Sequence, residues 1–151
     1  MEINFKEIDI SNYGECVELN VKEEQENFIS PNYLSLLGVH YEDVEAHPMA
    51  IYQGENMIGF IKYVFYPADE DYSLDSWWIE RFMIDKAYQN KGYGKESLKR
   101  FLDFFRKKYG NIEVRIGTAP ENSAAISLYE KVGFEQTGEI AVGEVVLCLK
   151  L

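Results

Sequence analysis

The residues that most plainly could do chemistry are Gln89-Asn90-Lys91-Gly92-Tyr93-Gly94-Lys95. Two glycines at the start of a helix let the backbone approach a ligand closely, and the free N–H groups there can hold phosphate oxygens. Lys91 and Lys95 add positive charge, so the turn could neutralise a pyrophosphate. Two other phosphate-binding turns are excluded by spacing. The dinucleotide fingerprint G-x-G-x-x-G lacks its third glycine here, and the triphosphate loop G-x-x-x-x-G-K followed by Ser or Thr is absent.

Other side chains carry two readings each. Glu80 shares the apolar run 77–84 with only one other charge, Arg81. A buried charge is costly unless paired, so Glu80 is either half of an ion pair or a working carboxylate. Tyr129 falls on a helical stripe with Ala125, Leu128 and Val132, which by spacing alone reads as core. Asn122 stands where an N-cap belongs, and a ligand contact is equally open to it. The acidic sets Glu23, Glu24, Glu26 and Asp69, Glu70, Asp71, Asp75 are solvated surface or a site for a cation. His40 and His47 match no metal pattern, and no metal site is expected. Trp77 and Trp78 read as core or groove lining, and Cys148 as packing.

These residues need a scaffold. Residues 3–8 alternate as a first strand, and 13–20 read as a helix capped by Ser11 or Asn12. Residues 23–30 are a helix end or loop. Ser30-Pro31 signals a helix start, with Ser30 as N-cap and Pro31 in the first turn. Leu34, Leu37, Tyr41 and Val44 repeat at helical spacing until Pro48. Residues 49–53 and 57–66 form a hairpin about Gly54-Glu55-Asn56, followed by an acidic loop at 67–75. Residues 76–84 are apolar on both faces, as in a central strand. A helix with Leu98, Phe101, Leu102 and Phe105 on one face runs to about residue 109, where Gly110 ends it. A strand at 112–118, a helix at 122–132 closed by Gly133, and strands at 134–140 and 144–150 complete the order β-α-α-β-β-β-α-β-α-β-β. That is one α/β domain, 1–151, with a mixed central sheet flanked by helices.

At 151 residues with 46% hydrophobic content, the chain can bury a real core. The net charge of −11 repels phosphate and so excludes a nucleic-acid partner, while it suits solubility or a cationic small molecule. No apolar run reaches the roughly 18 residues of a membrane span, so no membrane partner is expected. There is no signal-peptide core at the start, and the two cysteines imply no disulfide framework; a cytoplasmic location is the expectation.

Gln89-x-x-Gly92-x-Gly94 after Phe82-Met83-Ile84 resembles the acyl-CoA pyrophosphate loop of the GNAT superfamily of N-acetyltransferases. Asn122-Ser123-Ala124-Ala125-Ile126-Ser127-Leu128-Tyr129-Glu130-Lys131-Val132-Gly133-Phe134 resembles that superfamily's second motif, in the same order and at the usual separation. Ile79-Glu80-Arg81-Phe82-Met83-Ile84-Asp85 with Tyr88-Gln89, and the acidic stretches, resemble the bacterial spermine/spermidine (diamine) acetyltransferases.

The resemblance implies a GNAT fold in which the strand ending at Ile84 splays from the strand 112–118 and accepts the pantetheine arm of acetyl-CoA, with no metal. Backbone groups of Phe82, Met83 and Ile84 would pair with that arm. Gln89, Asn90, Lys91, Gly92, Tyr93, Gly94 and Lys95 would hold the pyrophosphate, and Asn122 would lie near pantetheine or substrate. Tyr129 aligns with the general acid and Glu80 with the general base, acting directly or through water. Glu24, Glu26 and Asp75 would contact a polyamine. A homodimer is compatible with the resemblance. The same fold acting on another amine (an antibiotic, an amino acid or a protein lysine) and a non-catalytic acetyl-CoA-binding module remain as alternatives.

The chemistry calls for such groups. An alkylamine has a pKa of about 10.4, so about 1 in 2,500 molecules is free base at pH 7, a cost of roughly 4–5 kcal/mol. A carboxylate beside the nitrogen can take its proton, a tyrosine hydroxyl can protonate the leaving thiolate, and a backbone donor can stabilise the thioester oxygen.

Overall fold

In the computed structural model, which describes residues 2–151, the strands are β1 (Ile3–Glu7), β2 (Glu45–Gln53), β3 (Asn56–Tyr66), β4 (Ser76–Ile84), β5 (Glu113–Thr118), β6 (Glu135–Ala141) and β7 (Glu144–Lys150). The helices are α1 (Tyr13–Glu18), α2 (Asn32–Tyr41), α3 (Tyr93–Tyr109) and α4 (Ser123–Val132). The strands make one seven-stranded sheet in the order β1-β2-β3-β4-β5-β7-β6. Every neighbouring pair is antiparallel except β4 and β5.

Helices cover both faces. Leu98, Phe101, Leu102 and Phe105 of α3 are all buried, as their spacing expects, and pack with Tyr129 of α4, Tyr63 of β3 and Ile79 of β4. Burying each such side chain stabilises the fold by roughly 1.5–3 kcal/mol. On the opposite face Cys16 of α1 and Leu36 of α2 pack against Ala50, Phe60 and Met83.

The β4–β5 pairing is short. It joins Trp77 to Val114, Trp78 to Arg115 and Ile79 to Ile116. Beyond it β4 continues to Ile84 and β5 to Thr118, unpaired with each other. The divergence begins where β4 carries a β-bulge. Lys62 faces Arg81 and Tyr63 faces Ile79, which leaves Glu80 as the additional residue. A bulge bends its strand and re-aims side chains. The side-chain alternation changes phase here: Trp77 and Ile79 pack toward α3 before the bulge, Phe82 and Ile84 after it.

Some boundaries differ from the sequence expectation. Ser30 is not the cap of α2; Pro31 is, with extended ψ of 146°, and the helix begins at Asn32. Leu34, Leu37 and Tyr41 do mark a helix but lie on its exposed side, while Asn32 and Ser35 are buried. Val44 lies beyond the helix, which ends at Tyr41. Pro48 does not stop that pattern either; it sits inside β2, which starts at Glu45 rather than residue 49. The Pro48 carbonyl accepts from Ile8 N–H on the β1 side, so the missing proline N–H also points that way, past the end of β1, and the ladder to β3 loses nothing. Helix α1 ends at Glu18 rather than residue 20, and Asn12 makes no side-chain cap bond because its amide is spent on Asp9 N–H and the Glu7 carbonyl. Residues 23–30 contain one turn of 3-10 helix, Glu23–Gln25.

Candidate active site

Where β4 leaves β5, the structure opens a cleft of about 1480 Å³. One wall is the splayed end of β4, from Ile79 to Ile84; the other is Ile116, Gly117 and Thr118 of β5 with Asn122, Ala125, Leu128 and Tyr129 from the start and inner face of α4. Asn90, Gly92, Gly94 and Lys95 close one end. Gln25, Phe28, Ile29 and Ser30 reach it from the turn before α2, and Tyr66, Asp69 and Tyr72 from the β3–β4 loop.

The glycine turn is built as its sequence suggests. Asn90 and Gly92 have φ of 62° and 84°, the left-handed region where glycine fits without cost and asparagine at modest cost. Gly92 is the N-cap of α3, so the N–H groups of Tyr93, Gly94 and Lys95 fall in the first turn and have no carbonyl within the helix. A methyl group at Gly94 would meet only Leu128 at 3.5 Å and Ile84 at 3.9 Å, ordinary contacts. Packing therefore does not demand glycine at 94.

The neighbouring candidates divide. Lys95 lines the cleft, whereas Lys91 turns back to donate to the Ala87 carbonyl at 3.2 Å, and the Tyr93 ring packs edge-on against Tyr88. The Gln89 side chain donates to Gln25 Oε1 at 2.8 Å and to the Ile84 carbonyl at 2.9 Å, tying the turn to the end of β4. Asn122 caps α4, its Oδ1 accepting from Ala125 N–H at 3.2 Å, and also lines the cleft.

Tyr129 and Glu80 line the same cleft from opposite walls. Tyr129 is buried, and burial, with the Glu144 carboxylate nearby, pushes its hydroxyl well above the usual tyrosine range. It therefore stays protonated at every physiological pH. Glu80 is in an ion pair, with Oε1 3.1 Å from Lys62 Nζ. Arg81 donates from Nη1 to the Glu80 carbonyl at 2.8 Å, while its buried Nε has no partner among the described residues. Burial and the Glu80 and Glu42 charges raise the Tyr66 hydroxyl from its ordinary value.

Glu24, Glu26 and Asp75 do not line the cleft. Glu24 belongs to the exposed turn at Glu23–Gln25, which presents Gln25 inward instead, and Asp75 Oδ1 accepts from Ala68 N–H at 2.8 Å to close its own loop. The carboxylates that do line it are Asp69, Glu80, Glu139 and Glu144, interspersed with the cations Arg81, Lys95, Arg115 and Lys131. Arg115 holds Glu113 at 2.9 Å and Glu139 at 2.7 Å and lies over the Tyr72 and Trp78 rings.

Lys62 went unnoticed in the sequence, though a signal was there. It is the one charge between Asn56 and Tyr66, in an apolar run next to the one that holds Glu80. Two solitary opposite charges in successive apolar strands point to each other.

A split parallel strand pair with a free helix N-terminus at its mouth is the frame of an acyl-CoA-dependent transferase, and residues 13–134 match the Acetyltransferase (GNAT) family model. The chain belongs to that family and is a GNAT acetyltransferase. It is 32% identical over 145 residues to the spermine/spermidine N(1)-acetyltransferase of Bacillus subtilis, covering 93% of this chain and 92% of that one. Among solved structures, spermidine N-acetyltransferase from Vibrio cholerae in complex with CoA and spermine superimposes with a TM-score of 0.70 at 17% identity, covering 99% and 94% of the two chains. An aminoglycoside acetyltransferase in complex with coenzyme A gives a TM-score of 0.75 at 14% identity, covering 99% and 95%.

Proposed function

We propose that the protein acetylates a primary amine of spermidine or spermine, using acetyl-CoA in a direct ternary complex. The observation that carries the reaction is the pair Tyr129 and Glu80 on opposite walls of one cleft that ends at the free N–H groups of α3. The polyamine assignment rests on the full-length likeness to a spermine/spermidine acetyltransferase, because the acids first expected to bind the substrate lie outside the cleft.

Acetyl-CoA supplies the activated acetyl group as a thioester. Tyr93, Gly94 and Lys95 N–H groups with the Lys95 ammonium fit its pyrophosphate. The unpaired stretch Phe82, Met83, Ile84 fits the pantetheine amides, and Gln89 and Asn90 shape the turn. Glu80 takes the ammonium proton of the acceptor, directly or through water, and so releases the lone pair that forms the C–N bond. Tyr129, held neutral by burial, gives its proton to the sulfur as the C–S bond breaks; the second proton leaves the newly acylated nitrogen and restores the tyrosine, directly or through water, while Glu80 passes the first to solvent. Lys91 contributes charge only from a distance.

A substrate panel tests this: CoA release from acetyl-CoA with spermidine, spermine, putrescine, a lysine peptide and an aminoglycoside. Turnover confined to the polyamines is expected. Turnover with another amine keeps the chemistry and overturns the acceptor. Acetyl-CoA binding with no release for any amine overturns the reaction and leaves a binding module.

A further inference from the structure

Lys62 is fully buried, yet nothing in the chemistry above uses it. Its ammonium has three donors and three oxygens around it: Glu80 Oε1 at 3.1 Å, the Ser35 carbonyl of α2 at 3.1 Å and Glu42 Oε2 at 3.9 Å. A buried ion pair is poor value for stability, since an apolar pair of similar size often does as well or better. Its presence calls for another reason, and a second observation points to one. Gly38 sits inside α2, where glycine is among the least favourable residues. A Cβ there would lie 2.5 Å from Glu42 Oε2 and 3.1 Å from Lys62 Nζ. The glycine gives the clearance that lets the Lys62 ammonium reach α2 and Glu42 fold back to it. The bulge in β4 completes the arrangement, setting Glu80 beside the strand position that faces Lys62.

We infer that Lys62 is a positioning residue for acetyl transfer: it pins the Glu80 carboxylate through Oε1 against β3 and α2, so that the carboxylate is held still at the cleft wall. The inference rests on the assignment of Glu80 as base. Lys62 does not line the cleft. Its contribution acts through Glu80 alone, which distinguishes it from a residue that merely supports the core.

The test is a double-mutant cycle with the amine that gives turnover, using wild type, Lys62→Met, Glu80→Gln and the double variant. Acetyl-CoA affinity is measured alongside by calorimetry. In the wild-type background Lys62→Met is expected to lower kcat tenfold or more, with the acetyl-CoA Kd changed less than threefold. In the Glu80→Gln background the same substitution is expected to change kcat less than twofold. An equal loss in both backgrounds, or full activity of a folded Lys62→Met protein, overturns the inference. If Glu80→Gln alone leaves kcat intact, the base assignment falls first and this inference with it. Should Lys62→Met not fold, Gly38→Ala crowds the same ammonium from outside the cleft. Its smaller loss of kcat must likewise vanish in the Glu80→Gln background, and persistence there overturns the inference.

Discussion

Replacing Gly94 with alanine separates what the protein needs for itself from what it needs for its ligand. The new methyl group meets Leu128 at 3.5 Å and Ile84 at 3.9 Å, so nothing in the protein has to move. Gly94 is the second residue of α3 and its φ is not in the left-handed region, so alanine fits its backbone. Alanine is favoured over glycine by about 0.8–1 kcal/mol in a helix interior and by less near an end; about 0.5 kcal/mol is expected here. For a chain of this size that raises Tm by roughly 1–2 °C. The ligand experiences the opposite. If the pyrophosphate lies on the N–H groups of the first turn, the methyl displaces it from at least one charge-assisted hydrogen bond. Such bonds are worth about 1.5–3 kcal/mol, so the acetyl-CoA Kd should rise about 10- to 100-fold. Thermal unfolding and calorimetric titration of one preparation give both numbers. An unchanged Kd would refute the placement of the pyrophosphate, and a fall in Tm would mean that packing, not ligand approach, selects glycine.

Three further outcomes are expected. Tyr129→Phe should lower kcat about 100-fold or more, the usual range for losing a general acid, while acetyl-CoA binding measured by calorimetry stays within a few fold; unchanged turnover would end the acid role. Gly59→Ala should destabilise the protein by about 1–3 kcal/mol in urea titrations, because the added Cβ collides with the Met83 carbonyl oxygen, a backbone atom that cannot rotate away. Stability should fall as pH rises above 9. Burial pushes the Cys16 thiol up to about 12 from 9.0, so the unfolded chain loses that proton first and unfolding is favoured by up to about 1.4 kcal/mol per pH unit between those values. Cys16→Ala should flatten that slope in urea midpoints taken from pH 8 to 11, and an unaltered slope would refute the assignment.

The order of strands and helices was legible because each carries a strong local signal. Apolar periodicity marks α3, glycine stops α3 and α4, and unbroken apolar runs mark β3 and β4. Helix α2 was legible as a helix, but its orientation was not. Its apolar stripe of Leu34 and Leu37 faces outward, because the inner face must serve Lys62 through the Ser35 carbonyl and Cys16 through the Asn32 amide. A polar need in the core overrode hydrophobic patterning, and such needs are set by residues distant in sequence. The bulge at Glu80 likewise depends on register against β3, which no single segment specifies. Which acids line the cleft is set by long-range pairing too. Glu139 and Glu144 belong to the β6–β7 hairpin, and only the pairing of β7 with β5 brings that hairpin to the cleft.

The short β4–β5 seam places unsatisfied backbone inside the sheet rather than at its outer edges, β1 and β6. Exposed strand edges invite pairing with other chains and so seed aggregation. Here the two unpaired stretches confront each other across the cleft, one after Ile79 and the other after Ile116. That hydrogen-bonding capacity is thereby screened by position: it belongs to two central strands of one sheet and not to its outer edges.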